Sequence, residues 1–405
     1  MKRLYICAAG ILMLLISSCD RGVNPSGPGE PIRFDVAATD VQTRAATPTQ
    51  GARPTNQNEV QPATRAANSV NNDPALRAVS VGVFASYTGK LDYESTTVAP
   101  DYMYNQEVRY TSSGVWEYAP VKYWPNDAND YVSFFAYAPY EDSPSKDAPT
   151  GIFNMSRSVD LGDPWINFRL PEYEHQVDLL YGQRLTQEGG VAKYDSWIDQ
   201  QKHDWTEAPI RFVFRHALAC IGEGVSVRMS DELFAGMQGS LDIRFNSVSI
   251  VYRNLATKAR LVLRSEGSPN WKEIISGELT CSRTYTGPAL SGVGFSRDAT
   301  SNPAAITLDA GNGLFYIPLQ IAGTPRPVAD ISLTYTVDTG AASFTDVATA
   351  SVTFGPAEAG TVQSFALTLS RGFNLEATVV TEETGGIAVP STLSPTDAGV
   401  TVNYN

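Results

Sequence analysis

Histidine and cysteine are scarce in this sequence, three and four residues in 405, and charged residues make up only 18%. Few histidines means few of the commonest metal ligands and general bases. His175, His203 and His216 stand apart, and none falls at a zinc-ligand spacing with Cys or Glu. There is no GxSxG, no CxxC and no phosphate-binding loop. The stretch "DAND", 127–130, begins like a calcium loop but lacks its glycine and distal glutamate, so it reads as a polar turn. The 43 carboxylates guarantee some close pairs in any fold, so a glycosidase dyad gains no support from them. No catalytic residue, metal site or cofactor is assigned, and the expectation is a protein that is not an enzyme.

Long apolar runs are missing as well. Leu4–Ile16 supplies about 13 largely apolar residues, short of the ~20 that a membrane-spanning helix needs. It follows Lys2 and Arg3 and ends in Ile16-Ser17-Ser18-Cys19, the pattern of a lipobox. Residues 1–18 read as a lipoprotein signal peptide, with Cys19 the acylated first residue of the mature chain. Each buried methylene contributes ~0.8 kcal/mol, so a multiply acylated terminus carrying palmitate would hold the protein on a membrane. Loss of Lys2 and Arg3 leaves 28 basic against 43 acidic residues, a net charge of −15. That balance disfavours nucleic acid or an anionic membrane surface as partner. Cys7 leaves with the signal and Cys19 takes lipid, so Cys220 and Cys281 remain. They could pair in an oxidising compartment or sit apart as two buried thiols.

What is abundant is Tyr, Phe, Trp, Val and Thr, residues suited to pleated, half-buried surfaces. Residues 19–78 begin as a Pro/Gly/Ser tether. In "PIRFDV" Ile32, Phe34 and Val36 alternate with polar residues, predicting a strand over Pro31 to Val36. Residues 39–78 then form an exposed loop of Thr, Ala, Pro, Gln, Asn and Arg, with "TRAA" at 43–46 and 64–67. Its arginines, Arg44, Arg53 and Arg65, lie in the kind of open segment that proteases cut. From Val79 strand signals follow one another: "VSVGVFASY", then "YVSFFAYAP", apolar on both faces like a central strand, then "WINFRL" and "DLLYGQRL". Between the first two, "GVWEYAPVKYWPNDAND" carries turn punctuation. Polar residues 188–209 mark a boundary between an N-terminal β-sandwich, 79–209, and a C-terminal one with a terminal tail, 210–405. Spacings of roughly 10 to 15 residues with Gly/Pro turns predict sandwiches and not βαβ units. Only "SDELFAGMQG", 230–239, reads as a helix, with Ser230 as N-cap. The six tryptophans, Trp116, Trp124, Trp165, Trp197, Trp205 and Trp271, could stack on sugars if exposed, although core packing accounts for most of them.

The order of "IRFDV", "TRAA", "VGVFASY", "WEYAPVKYWP", "VSFFAYAPY", "DLLYG", "FVFRHALA", "NWKE" and "FYIPLQ" after a lipobox resembles the fimbrillin family, the type V pilins and accessory subunits of Gram-negative anaerobes. The resemblance spans most of the mature chain. It implies an all-β protein of two transthyretin-like β-sandwich domains, lipid-anchored at the outer membrane and displayed in a cell-surface fimbrium that supports adhesion. It also implies that an arginine-specific protease cuts after Arg44 or Arg65, that the first strand leaves, and that a strand of another fimbrial subunit takes its place. The freed residues beyond Arg65 and the tail "AGVTVNYN", with Val400 and Val402, are candidate donors. Anchor subunits of the family keep both lipid and first strand. The competing expectation is a surface glycan-binding lipoprotein with β-sandwich domains, which needs Trp116 or Trp197 exposed.

Overall fold

The computed structural model describes residues 30–38, 76–171, 175–189, 191–201, 209–274, 278–286, 294–298, 302–309, 314–319, 325–355, 357–382 and 400–404. Within them the chain is all-β and arranged in four sheets. The helix α1 (Asp231–Met237) forms where the sequence placed it, with the Ser230 hydroxyl accepting from the N–H of Leu233 at 3.2 Å.

The first sheet runs β1 (Phe34–Ala38), β11 (Ile210–His216), β8 (Leu180–Glu188), β5 (Tyr131–Ala138), β2 (Val81–Gly89), β3 (Met103–Tyr110), β4 (Trp116–Glu117). β5 is central and buried on both faces, as its unbroken apolar run predicts. Phe134 and Ala136 face one core while Phe135 and Tyr137 face another. The second sheet is shared between the halves of the sequence: β6 (Ile152–Met155) and β7 (Trp165–Arg169) pair with β14 (Lys258–Val262) and β15 (Asn270–Ile274).

Beyond residue 216 two further sheets make a sandwich. One contains β12 (Ala219–Met229), β18 (Ile306–Asp309), β19 (Leu314–Tyr316), β22 (Val362–Leu369) and β23 (Leu375–Glu382). The other runs β21 (Ser343–Thr353), β20 (Val328–Asp338), β13 (Asp242–Ala256), β16 (Glu278–Thr286), β24 (Val400–Tyr404), with β17 (Gly294–Phe295) also on β13. Along β20 every second residue is buried, the period-2 signature of one covered face. Tyr252 of β13 meets Phe365 of β22 at 6.1 Å between ring centroids, and Tyr335 of β20 stacks on Phe373 at 5.1 Å.

The strands on either side of the boundary expected between residues 209 and 210 pair into the same sheet. β11 joins β8 and β1 in the first sheet, so the chain crosses to the second half after His216. Within the polar stretch read as a boundary, β9 (Val191–Asp195) folds back on β8 and β10 (Trp197–Gln201) on β5. It is polar because β9 is a surface hairpin strand, and because the buried Ser196 hydroxyl donates to Ser265 O at 3.1 Å and accepts from the Ser265 N–H at 3.1 Å, a partner from the other half.

Candidate functional site

The site is the seat of β1. From Ile32 the apolar residues alternate, and Ile32, Phe34 and Val36 are 1%, 5% and 4% exposed. Phe34 is ringed by aromatics: Phe212 stacks at 6.1 Å, and Phe134 and Tyr118 meet it edge-on at 6.0 and 5.3 Å. Phe212 in turn needs Gly182 behind it, since a Cβ there would lie 2.9 Å from the Phe212 ring. Each of the three buried side chains contributes about 1.5–3 kcal/mol relative to exposure.

β1 is hydrogen-bonded on both sides. Its later residues run parallel to β11, Phe34 opposite Ile210 and Val36 opposite Phe212, and the Ile210 N–H donates to Arg33 O at 2.8 Å. Its earlier residues meet the segment that follows β4. The Ile32 N–H donates to Lys122 O at 2.9 Å, the Trp124 N–H donates to Glu30 O at 2.9 Å, and Pro31 bridges Tyr123 in antiparallel sense. The first sheet therefore curls until its two ends meet across β1, a stave that closes a small barrel. Inside lie Val83, Met103, Trp116, Trp124, Val132, Phe134, Leu180 and Phe214. Asp35 and Arg211 form an outward ion pair at 3.4 Å, exposed enough to add little. The strand predicted over 31–36 is thus present as Phe34–Ala38, starting three residues later and ending two later, with 30–32 held by the opposite wall.

Residues 39–75 separate β1 from the next described residue, Leu76, which is buried in the same core. Arg44, Arg53 and Arg65 fall on that segment, and Cys19 falls before residue 30; all four lie outside the described residues. Cys220 is buried in β12, its sulfur 3.3 Å from Ile221 O. The backbone of Cys281 sits in β16 opposite Tyr252 and Tyr404, and its side chain lies outside the description. The C-terminal tail is β24, antiparallel to β16 with Val402 opposite Arg283, so in this structure it edges its own chain's sheet.

Trp116, Trp124, Trp197 and Trp271 are buried, Trp165 is half-buried with the Arg260 guanidinium 4.1 Å over its ring, and Trp205 lies outside the described residues. His216 is held by the fully buried Asp178 carboxylate, Nδ1 to Oδ2 2.8 Å, tying β11 to the segment before β8. "DAND" is a turn: Asp127 accepts from the Asn129 N–H at 2.9 Å and pairs with Lys90. Among the described residues no group of three or more metal-binding side chains converges, and no helix is long and apolar enough to cross a membrane. Sequence reasoning missed the second wall of the seat. Its signal was in "WEYAPVKYWP", where Trp116, Tyr118 and Trp124 recur at even positions and turn inward, but Pro and the following Asn and Asp spoke for turns.

A crystallised fimbrial protein from Bacteroides vulgatus superposes with a TM-score of 0.57 at 20% identity, covering 88% of this chain and 100% of that one, which shows a shared fold. The fimbrium subunit Fim1C of Phocaeicola vulgatus is 28% identical over 142 residues, 35% of this chain and 35% of that protein, so the match spans about a third of that relative's length. The family model described as fimbrillin-like matches residues 64–389, from within the arginine-bearing segment to beyond β23. With most of its length matched in this way, the chain belongs to the fimbrillin-like family.

Proposed function

We propose that the chain is a structural fimbrial subunit, exported as a lipoprotein through Cys19, displayed at the outer membrane, and assembled with other subunits by strand replacement in support of adhesion. The observation that carries this reading is the seat of β1: a short stave that completes a barrel, gripped on both edges, joined to the rest only through residues 39–75 with their three arginines. A cut in that segment turns β1 into a peptide held by non-covalent contacts alone. Loss of the peptide leaves two rows of unpaired backbone groups above an apolar floor, a slot that another strand completes. The partial likeness to the fimbrium subunit Fim1C supports the same reading.

Limited digestion with trypsin followed by size-exclusion chromatography tests the reading. Trypsin spares Arg–Pro bonds, so Arg44 and Arg65 are the sites it reports on, while Arg53 precedes Pro54. The uncut chain should run as a monomer and the cut chain as multimers, and changing Arg44, Arg53 and Arg65 to Ala should abolish the change. A nicked chain that stays monomeric contradicts assembly by replacement and leaves an anchor role in its place.

A further inference from the structure

The segment "WEYAPVKYWP" does more than line the seat. Tyr118 reaches from it to the backbone of the stave: its phenol oxygen lies 2.8 Å from Ile32 O and 3.1 Å from Lys122 O, and it accepts from the Lys122 N–H at 3.3 Å. The same ring packs edge-on against Phe34. One side chain therefore ties together the strand, the wall beside it and the aromatic cluster beneath it. A phenol has one hydrogen to give, and Ile32 O is the nearer acceptor.

Position along the strand gives this contact its consequence. The arginines lie C-terminal to β1, so a cut frees the Ala38 end first. The ladder to β11 then opens from Ala38 back toward Phe34, and the contacts at residues 30–32 are the last to part. The backbone bonds to Lys122 and Trp124 would form with any extended chain. Tyr118 adds a side-chain bond at that last-parting end.

We infer that Tyr118 is a latch, a positioning residue that sets how long the cut strand stays in the slot. The inference rests on the strand-replacement reading and adds a control point to it: cleavage licenses exchange, and Tyr118 times it. A replacing strand must likewise present a carbonyl at the place of Ile32, with an N–H there for Lys122 O.

The test loads the trypsin-nicked chain with a fluorescein-labelled peptide of residues 29–38 and chases it with unlabelled peptide, reading the off-rate by anisotropy. Tyr118→Phe should speed release about three- to tenfold, the effect of one net hydrogen bond. A second peptide carries an ester in place of the Ile32–Arg33 amide, which weakens the carbonyl that Tyr118 meets. In the wild-type chain the ester should speed release, and in Tyr118→Phe it should add little further. Equal off-rates for the two chains, or an ester effect of the same size in both, overturns the latch. A nicked wild-type chain that takes up no peptide overturns strand replacement itself, and the latch with it. Should Tyr118→Phe fail to fold, the two peptides on the wild-type chain decide, and an ester that leaves the off-rate unchanged overturns the inference.

Discussion

Burial of phenols makes this chain sensitive to alkali. Desolvation pushes Tyr118 up to about 12, and the same cause drives Tyr93, Tyr137, Tyr181 and Tyr316 further upward, because a buried phenolate loses its hydration. An unfolded tyrosine titrates near 10. The folded state therefore holds its phenol protons when the unfolded state has begun to lose them. The stabilisation is fully present below pH ~10 and is lost progressively as pH rises from there through the folded values, about 12 for Tyr118. The urea midpoint should stay level up to pH ~10 and fall above it, less steeply for Tyr118→Phe; a midpoint level to pH ~12 contradicts the assignment. None of this was visible from composition, since a tyrosine count does not say which rings are covered. His216 teaches the same lesson: the sequence said only that it lacked metal-ligand neighbours, and its partner Asp178 lies 38 residues away.

At the scale of elements, strands with an unambiguous pattern were legible. The unbroken "YVSFFAYA" became the central β5, and the Ser230 cap with its short apolar stripe became α1. Where the signal was punctuation, the reading went astray. Pro120, Pro125 and the Asn/Asp run made residues 118–124 look like turn, yet their backbone forms the second wall of the β1 seat. The pairing of β7 with β14 joins Ile166 to Leu261, a partnership with no local cue. β1 itself was found, starting three residues and ending two residues beyond the expected bounds, because its alternation is local. Its weight in the fold can be measured through Phe34, which fills an aromatic pocket that Ala would leave empty. Phe34→Ala should destabilise the uncut chain by about 3–5 kcal/mol in denaturant unfolding, and a loss under ~1 kcal/mol would mean that β1 adds little to the barrel.

At the scale of the whole molecule the two halves of the sequence share a sheet and a core. The second sheet takes two strands from each half, and one core runs from Phe135 and Phe168 through Trp271 to Val227 and Leu367. Sharing of this kind makes the two halves mutually dependent, whereas the β1 barrel core is a separate cluster on the opposite face of β2, β5 and β8. That separation is what would let a single stave be exchanged without disturbing the remainder. The central claim is that β1 is the stave exchanged, and N-terminal sequencing of the chain recovered from sheared surface filaments tests it most directly. The account predicts a chain that begins beyond Arg44, with residues 30–38 gone and no lipid retained. A filament chain that still begins at an acylated Cys19 and carries Phe34–Ala38 in place would contradict it.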